Sequence, residues 1–457
     1  MKQRRQAGFA SAAIVAALLL GSCATDRPEA SRTVAMAEPL PRVDHHQHLL
    51  SPAAARIVST PIASETEVPA DVADLLTRRA RFSADPAQLA PVFAEDVLLY
   101  GFGMGGWIRG REAAAQFVSL NFAPGYRLLP ISYVARGGVI EVAGYYARGE
   151  GETLRRPGNF SMNIVRERDG TLRIAAETPV FPGPTVTPPI DGASLVAMLD
   201  AAGVQRAVVL SNAYYFDGLI TVLRPGSSAN VHDQVRAEND WTAEQVARFP
   251  DRLTAFCSFN PLADHAMDEL ERCARNPIFK GFKLHFGTSG VDVLERRQVE
   301  RLVQLFTALN RAGKPVLAHL AASPAYSGEH SRIFLDEVLP AAPDIPVIIA
   351  HLWGGAGYVD EALEVYADAV AAGHPAARNL YFDLAQIAMV EGRSEENLRR
   401  ITHRMRQIGF DRLLWGADGA APPGMPPRAV WEDFRAKMPL TDEEFRMIAG
   451  NVLPALR

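Results

Sequence analysis

This chain of 457 residues has few cysteines, no large excess of one charge and few long apolar runs. Its 3 cysteines form no Cys-rich motif, which excludes a metal site built from cysteines. The net charge of -5 is mild and argues against a nucleic-acid partner. The apolar run at residues 10–20 is shorter than a membrane span. An apolar content of 48% and a charged content of 22% are typical of a globular protein with a sizeable core.

The apolar run lies in a segment with the pattern of a signal peptide. Three basic residues precede it, at Lys2, Arg4 and Arg5. It ends in Leu20-Gly21-Ser22-Cys23, which resembles a bacterial lipobox. The resemblance implies a lipoprotein signal peptide at residues 1–22, a lipid on Cys23 and a tether over residues 23–40. We expect a protein of the bacterial cell envelope that faces the periplasm and contacts the membrane only through this anchor. An ordinary signal peptide with an incidental cysteine is the alternative.

Cys257 and Cys273 are the two cysteines left for the folded body of the protein. An oxidising compartment would allow them to pair. Cys257 lies in an apolar, strand-like run and Cys273 in a helix-like one, so we expect two buried thiols.

Histidines cluster in residues 43–49, which have the pattern of a short strand with apolar ends. Side chains alternate between the two faces of a strand, so His46 and His48 point one way and His45 and Gln47 the other. Two imidazoles on one face, two residues apart, can bind a single divalent metal ion. The alternative is a polar strand end whose histidines hydrogen-bond to neighbouring loops.

Short apolar strands alternate with helical patterns from about residue 191 onwards. Together with residues 43–49 they make eight strands, the others being 207–210, 253–256, 281–285, 315–319, 345–351, 380–383 and 413–418. Such alternation predicts a parallel sheet, and eight units predict an α/β fold of the closed (β/α)8 TIM-barrel type, formed by residues 41–65 and 186–457. An open doubly wound sheet is the alternative, but no Gly-rich phosphate loop follows the first strand.

Residues 68–180 separate the first two barrel strands and are far longer than an ordinary connection. Helix-like patterns come first, at 72–82 and 113–120, and strand-like runs follow at 128–135, 139–146, 161–166 and 172–177. This order predicts an inserted α+β domain. Residues 85–93, 93–97 and 107–117 resemble the NTF2-like (SnoaL-like) fold. The resemblance implies an accessory domain or a dimer surface, and so a homodimer as a candidate assembly.

The carboxyl ends of the strands in a parallel barrel face one common mouth, where the active sites of this fold lie. The residues at the ends of the predicted strands are His46, His48, Lys283, His285, His319, His351 and Asp418. Histidines scattered by chance would seldom occupy five such positions. We expect the other histidines to be structural or exposed to solvent, except His232, which we place in a long loop over the mouth.

This set of residues resembles the amidohydrolase superfamily, specifically its amidohydrolase-related, decarboxylase-like branch. The resemblance rests on the His-x-His of His46 and His48, on His319 and His351, and on Asp418 at the end of the run Trp-Gly-Ala-Asp. It implies that His46, His48, His319 and Asp418 hold one divalent metal ion, expected to be Zn²⁺, and leave a position open for water.

These residue types suit hydrolysis assisted by a metal ion. A site with an open position lowers the pKa of bound water to about 7, and Asp418 can take the proton from that water. His351 would stabilise the charge that develops on a carbonyl oxygen, and its alternative role is to orient Asp418.

In binuclear members of the superfamily a strand-four lysine, here Lys283, is carbamylated and bridges a second metal. We expect Lys283 to bind a substrate anion instead, with a structural ion pair as the alternative.

Substrate binding is predicted for Lys283, His285, Trp353 and His232. We expect a hydrolase that cleaves the C–O or C–N bond of a lactone, ester or amide in a small carboxylated or cyclic molecule. Non-oxidative decarboxylation of an aromatic or unsaturated acid by the same ligands is the first alternative. A lipid-anchored binding protein with an idle barrel is the second.

Overall fold

The structure is a computed structural model that describes residues 40–59, 62–101, 106–122, 125–184, 187–218, 230–321, 326–355, 357–388, 394–419 and 426–457. The predicted signal peptide, the predicted lipidation site at Cys23 and all but the last residue of the predicted tether lie outside the described residues. Within the described residues, no helix has both the length and the apolar character that a membrane crossing needs.

The strands of the described residues are, in chain order, β1 Val43–Gln47, β2 Phe93–Gly101, β3 Gly106–Arg109, β4 Arg127–Arg136, β5 Val139–Arg148, β6 Arg155–Arg166, β7 Leu172–Val180, β8 Arg206–Leu210, β9 Leu253–Ser258, β10 Phe279–His285, β11 Val316–His319, β12 Val347–Ile349, β13 Leu380–Asp383 and β14 Leu413–Leu414. Among them, β1 and β8 to β14 form an eight-stranded sheet in that spatial order, with every neighbouring pair parallel. His45 N donates to Trp415 O at 2.9 Å and Asp418 N donates to His46 O at 2.7 Å, so β1 also meets the segment after β14. The predicted (β/α)8 barrel fold is confirmed.

The α-helices of the described residues are α1 Pro52–Val58, α2 Ala70–Arg81, α3 Pro86–Leu89, α4 Arg111–Asn121, α5 Gly192–Ala202, α6 Val231–Ala247, α7 Ala266–Arg275, α8 Phe286–Ser289, α9 Arg296–Ala312, α10 Gly328–Ile333, α11 Asp360–Ala371, α12 Glu395–Ile408, α13 Pro427–Lys437 and α14 Asp442–Gly450. Helix α12 shows why such segments are helical. Its buried apolar residues recur three or four positions apart, at Leu398, Ile401, Met405 and Ile408. Ser394 caps its first turn by accepting a hydrogen bond from Asn397 N.

Between β1 and β8 the described chain forms a second sheet of six strands in the order β3-β2-β7-β6-β5-β4. β2 and β7 are parallel, and the other neighbours are antiparallel. The sequence patterns predict β4 to β7 but not β2 and β3. In β2 the exposed Glu95 and Asp96 interrupt the apolar alternation, and β3 has only 4 residues. The likeness of this inserted domain to the NTF2-like fold and its role in a homodimer stay predictions.

A buried ion pair lies inside the inserted domain. Arg79 donates to the carboxylate of Glu177 at 2.8 and 2.6 Å, and Tyr146 Oη donates to the same carboxylate at 2.6 Å. Such pairing offsets the cost of removing both charges from water. The rings of Phe93 and Phe122 lie against the guanidinium of Arg79, so side chains fill this part of the interior.

Cys257 and Cys273 form a disulfide, which corrects the expectation of two free thiols. Cys257 lies on β9 and Cys273 on the helix α7 that follows it, and both are buried. Sequence patterns place the two residues on a strand and a helix, but only the packing of α7 on β9 brings their Cα atoms to 6.2 Å. Disulfides of this kind belong to oxidising compartments. The bond is therefore consistent with export, which stays a prediction.

The disulfide is expected to stabilise the barrel measurably. The two cysteines are 16 residues apart in sequence, and the chain-entropy model gives about 3 kcal/mol for a loop of this length. We expect the double variant Cys257→Ala/Cys273→Ala to lose about that much free energy of unfolding in urea titrations. The wild-type protein titrated with a thiol reductant is the control and should unfold at a similarly low urea concentration. A wild-type midpoint that does not move on reduction would contradict the disulfide.

Candidate metal centre

The carboxyl ends of the barrel strands enclose a cavity of about 100 Å³. Its lining includes all the predicted strand-end residues, which are His46, His48, Lys283, His285, His319, His351 and Asp418. Five further residues complete the lining, namely Leu50, Val58, Asn212, Tyr214 and Tyr215. The structure thus brings together the residues that the geometry of a parallel barrel predicts to be neighbours.

His46, His48 and Asp418 form a compact trio in this cavity. Nε2 of His46 and Nε2 of His48 each lie 3.6 Å from Asp418 Oδ1, and one ligand atom from each residue lies within 4.8 Å of the others. The separations exceed the roughly 2.7–3.2 Å of a hydrogen bond. They suit atoms that share one ion at roughly 2.0–2.2 Å each, as nitrogen and carboxylate oxygen do around zinc. The trio therefore fits a divalent metal ion.

The second ring nitrogen of each histidine in the trio is already bonded. His48 Nδ1 donates to Leu210 O at 2.8 Å, and His46 Nδ1 lies 3.0 Å from Asp383 Oδ2. A hydrogen on Nδ1 leaves the lone pair of Nε2 free to bind a metal ion. Burial lowers the pKa of His48 to about 3, so its imidazole is neutral at physiological pH. Metal binding needs this neutral form.

Asp418 is ionised in this setting. Burial raises the pKa of its carboxyl group, but interactions with His46, His48 and His351 outweigh burial and bring the pKa to about 2. The backbone of Asp418 has a φ of 53°, and His351 has the same value. Residues other than glycine rarely adopt this left-handed conformation. They keep it where the surrounding structure imposes it, and such positions cluster at functional sites.

Asp383, the last residue of β13, is a site residue that sequence patterns do not single out. Its carboxylate accepts hydrogen bonds of 3.0 Å from His46 Nδ1, His351 N and Ala385 N. Burial raises the pKa of Asp383, but its interactions with His46 and His351 bring it below the usual value. This buried carboxylate therefore orients the ring of His46 and holds the backbone of His351 in place. Its position at the end of a barrel strand could have identified Asp383, because the predicted site residues also lie at or near such ends.

His351 faces Asp418 across the cavity, with its Nε2 3.9 Å from Asp418 Oδ2. Its Nδ1 lies 2.9 Å from Ala385 O. A carbonyl oxygen only accepts, so the hydrogen of neutral His351 is on Nδ1 and the lone pair is on Nε2. Burial lowers the pKa of His351, which favours this neutral form. His351 can thus accept a proton at Nε2, and it can donate one into the cavity only afterwards.

His319 and His285 stack in the wall of the cavity, with ring centroids 4.0 Å apart. Gly355 lies so close to the His319 ring that a Cβ atom would be 2.2 Å from Nε2, so only glycine fits there. His285 also stacks on Tyr214 at 4.8 Å, and its Nδ1 accepts from Thr288 N at 3.1 Å. His285 is therefore held as a wall residue. His319 stays a predicted ligand that lines the same cavity outside the compact trio.

Lys283 reaches the cavity from β10. It is 1% exposed, and burial lowers its pKa to about 8 although the charges of Asp383 and Asp418 raise it. An ammonium group in the cavity wall complements an anionic group on a substrate. The carbamylated form of Lys283 and a second metal ion stay predictions.

Trp353 is not among the described residues that line the cavity, and its part in substrate binding stays a prediction. It is buried, its Nε1 donates to Gly355 O at 2.9 Å, and its ring meets Tyr358 at 5.2 Å. Large aromatic side chains lower the free energy of folding most when they are fully buried. The ring is thus buried among residues of the loop that follows β12.

His232 is also absent from the cavity lining, and its predicted place in a loop is wrong. It lies in the first turn of α6 and stacks on His265, with ring centroids 4.4 Å apart. The sequence predicts a helix only from Thr242 onwards, and the first half of α6 escapes prediction because its buried face carries the polar residues Glu238 and Asn239. Glu238 bonds to Ser51 and Asn239 bonds to the backbone of β9. Buried polar residues hide the apolar spacing that predicts a helix.

A model of the amidohydrolase family matches residues 184–451, which include β8 to β14. The chain belongs to the amidohydrolase family. Membership and the trio of His46, His48 and Asp418 together support a metal-dependent enzyme that binds a divalent ion.

Several solved structures are similar to this member of the family. A 2,6-dihydroxybenzoate decarboxylase in complex with 2,6-dihydroxybenzoate is 17% identical over 56% of this chain and 84% of that one, with a TM-score of 0.39. A 5-carboxyvanillate decarboxylase from Novosphingobium aromaticivorans, complexed with manganese and 4-hydroxy-3-methoxy-5-nitrobenzoic acid, is 17% identical over 55% and 76%, with a TM-score of 0.38. A variant of Rd1NTF2_05 is 18% identical over 24% and 93%, with a TM-score of 0.20. No curated protein matches the sequence.

Proposed function

We propose that this member of the amidohydrolase family is a hydrolase. It would use one divalent metal ion, with zinc as the expected metal, to cleave the C–O or C–N bond of a lactone, ester or amide in a small carboxylated or cyclic substrate. The main support is the trio, in which two Nε2 atoms and an ionised carboxylate converge on one point. His46, His48 and Asp418 would hold the ion, which would lower the pKa of a bound water to about 7 and so supply a nucleophile at neutral pH.

Asp418 is the residue suited to take the proton of the attacking water. Its Oδ1 faces His46 and His48, while its Oδ2 is 3.9 Å from His351 Nε2. A proton taken up by Asp418 can therefore pass to His351, whose Nε2 carries the free lone pair. The imidazolium of His351 can then stabilise charge on the carbonyl oxygen or protonate the leaving group. His351 can act in this way because its Nδ1 donates to Ala385 O, which leaves Nε2 free to receive the proton.

Decarboxylation of an aromatic or unsaturated acid is the second candidate. The observation that favours it is a wall of flat side chains, in which His285 stacks on Tyr214 and Tyr214 lies against Tyr215 at 4.8 Å. Lys283 lines the same cavity and suits the carboxylate of such an acid. A planar unsaturated ring would pack against this wall.

Metal loading followed by product analysis tests the proposal. We expect about one divalent ion per chain by mass spectrometry, and turnover of a panel of lactones, esters and amides that stops when a chelator removes the ion. Carbon dioxide release from aromatic acids, without any bond hydrolysis in the panel, would replace hydrolysis by decarboxylation. Two ions per chain would indicate a carbamylated Lys283. No ion after attempted reloading would contradict both functions.

A further inference from the structure

Asn212 has a buried amide oxygen that bonds to nothing in the described part of the chain. The residue follows β8, is 3% exposed and lines the same cavity as the trio. Its Oδ1 has no hydrogen-bond partner, although the surrounding protein shields it from solvent. A buried acceptor without a donor is costly, and native proteins leave few of them. This oxygen therefore calls for a donor from outside the chain.

The orientation of the Asn212 amide is determined by its other end. Nδ2 donates to Leu49 O at 2.8 Å, and because that carbonyl only accepts, the amide cannot be turned around. An Asn before a short helical turn commonly caps it with its side-chain oxygen. Here the side chain makes no cap, and Ala213 N donates to Ser211 Oγ at 3.3 Å instead. The local backbone thus leaves Oδ1 available.

We propose that Asn212 is a substrate-binding residue, whose Oδ1 accepts a hydrogen bond from an O–H or N–H group of the substrate. Lys283 in the same cavity complements an anionic group. The substrate class is then a small acid that carries a hydroxyl, amino or amide N–H donor near its carboxylate. This assignment rests on the proposed function, and it excludes substrates in which the corresponding position is an ether or a tertiary amide.

The size of the cavity limits the fragment that is recognised. Its volume of about 100 Å³ is well below the roughly 300–1,000 Å³ of pockets that enclose drug-sized ligands. Only the reacting end of a larger substrate, or a small molecule as a whole, fits among these residues. The donor that meets Asn212 therefore lies close to the reacting group.

Two small acids, one with a hydroxyl donor and one without, test the assignment, and a variant of Asn212 separates its effect from the stronger binding of a hydroxyl group to the metal. Glycolate carries a carboxylate and a hydroxyl donor, whereas methoxyacetate replaces that donor by an ether oxygen. We expect metal-loaded wild-type protein to bind glycolate about tenfold more tightly than methoxyacetate in calorimetric titrations, which is the net effect of one hydrogen bond. The variant Asn212→Leu, similar in shape but without an acceptor, should lose most of the preference that the wild type shows for glycolate.

The melting temperature and metal content of Asn212→Leu should match those of the wild type, which guards against a misfolded variant. Equal binding of both probes by the wild type, a preference that survives in Asn212→Leu, or no glycolate binding at all would overturn the assignment. Because the titrations measure binding and not turnover, a protein that binds the probes as expected but hydrolyses nothing would count against the proposed function and not against Asn212.

Discussion

Asp418→Asn is expected to lower kcat/KM by about 10³-fold or more, because it removes a metal ligand and the proton acceptor together. The two side chains have nearly the same shape, and Asp418 N still donates to His46 O in the variant, so the barrel should fold. The amide presents a neutral oxygen and an N–H group where the trio needs a carboxylate. We therefore expect the bound metal, measured by mass spectrometry after gel filtration, to fall well below one ion per chain.

The control for Asp418→Asn is Asp411→Asn, which changes an exposed carboxylate in the helical turn just before β14. It should keep full metal content and activity. His46→Ala should also lose the metal, since it removes an Nε2 ligand from the same trio. Full metal content in both Asp418→Asn and His46→Ala would show that the metal site lies elsewhere.

Asp383→Asn is expected to weaken metal binding about 10- to 100-fold, although Asp383 does not belong to the trio. The carboxylate accepts from His46 Nδ1 at 3.0 Å and so keeps the Nε2 lone pair facing Asp418. An amide in its place can turn its NH₂ group towards His46. The imidazole would then have to move its hydrogen to Nε2, where it blocks metal binding. Competition with a coloured chelator measures the metal dissociation constant directly.

A purely structural role for Asp383 would change stability without changing metal affinity. The melting temperature of the metal-free protein must therefore be measured beside the dissociation constant, with Asp411→Asn again as the control. If Asp383→Asn melts earlier when metal-free yet binds the metal as tightly as the wild type, Asp383 does not orient the ligand. A weaker dissociation constant in a variant that remains folded supports the positioning role.

The sequence by itself determined which side chains share the mouth of the barrel. His46 and His48 are two residues apart, so a strand places them on one face. Lys283, His319 and Asp418 lie at or near the carboxyl ends of parallel strands, and all such ends meet at one edge of a closed barrel. These rules need no knowledge of contacts, because they follow from the period of a strand and from the direction of the chain. Local patterns were less informative for β2, where adjacent exposed acids broke the alternation.

Only the tertiary structure decided which distant atoms those side chains meet. Asp383 is 337 residues from the histidine that it orients, and Leu210 O is 162 residues from His48. The disulfide and the unpaired oxygen of Asn212 likewise depend on how separate elements pack. A sequence pattern reports the face that a side chain occupies, since that depends on its own strand or helix. Hydrogen-bond partners, tautomers and cavity walls depend on several elements at once, and packing alone brings those together.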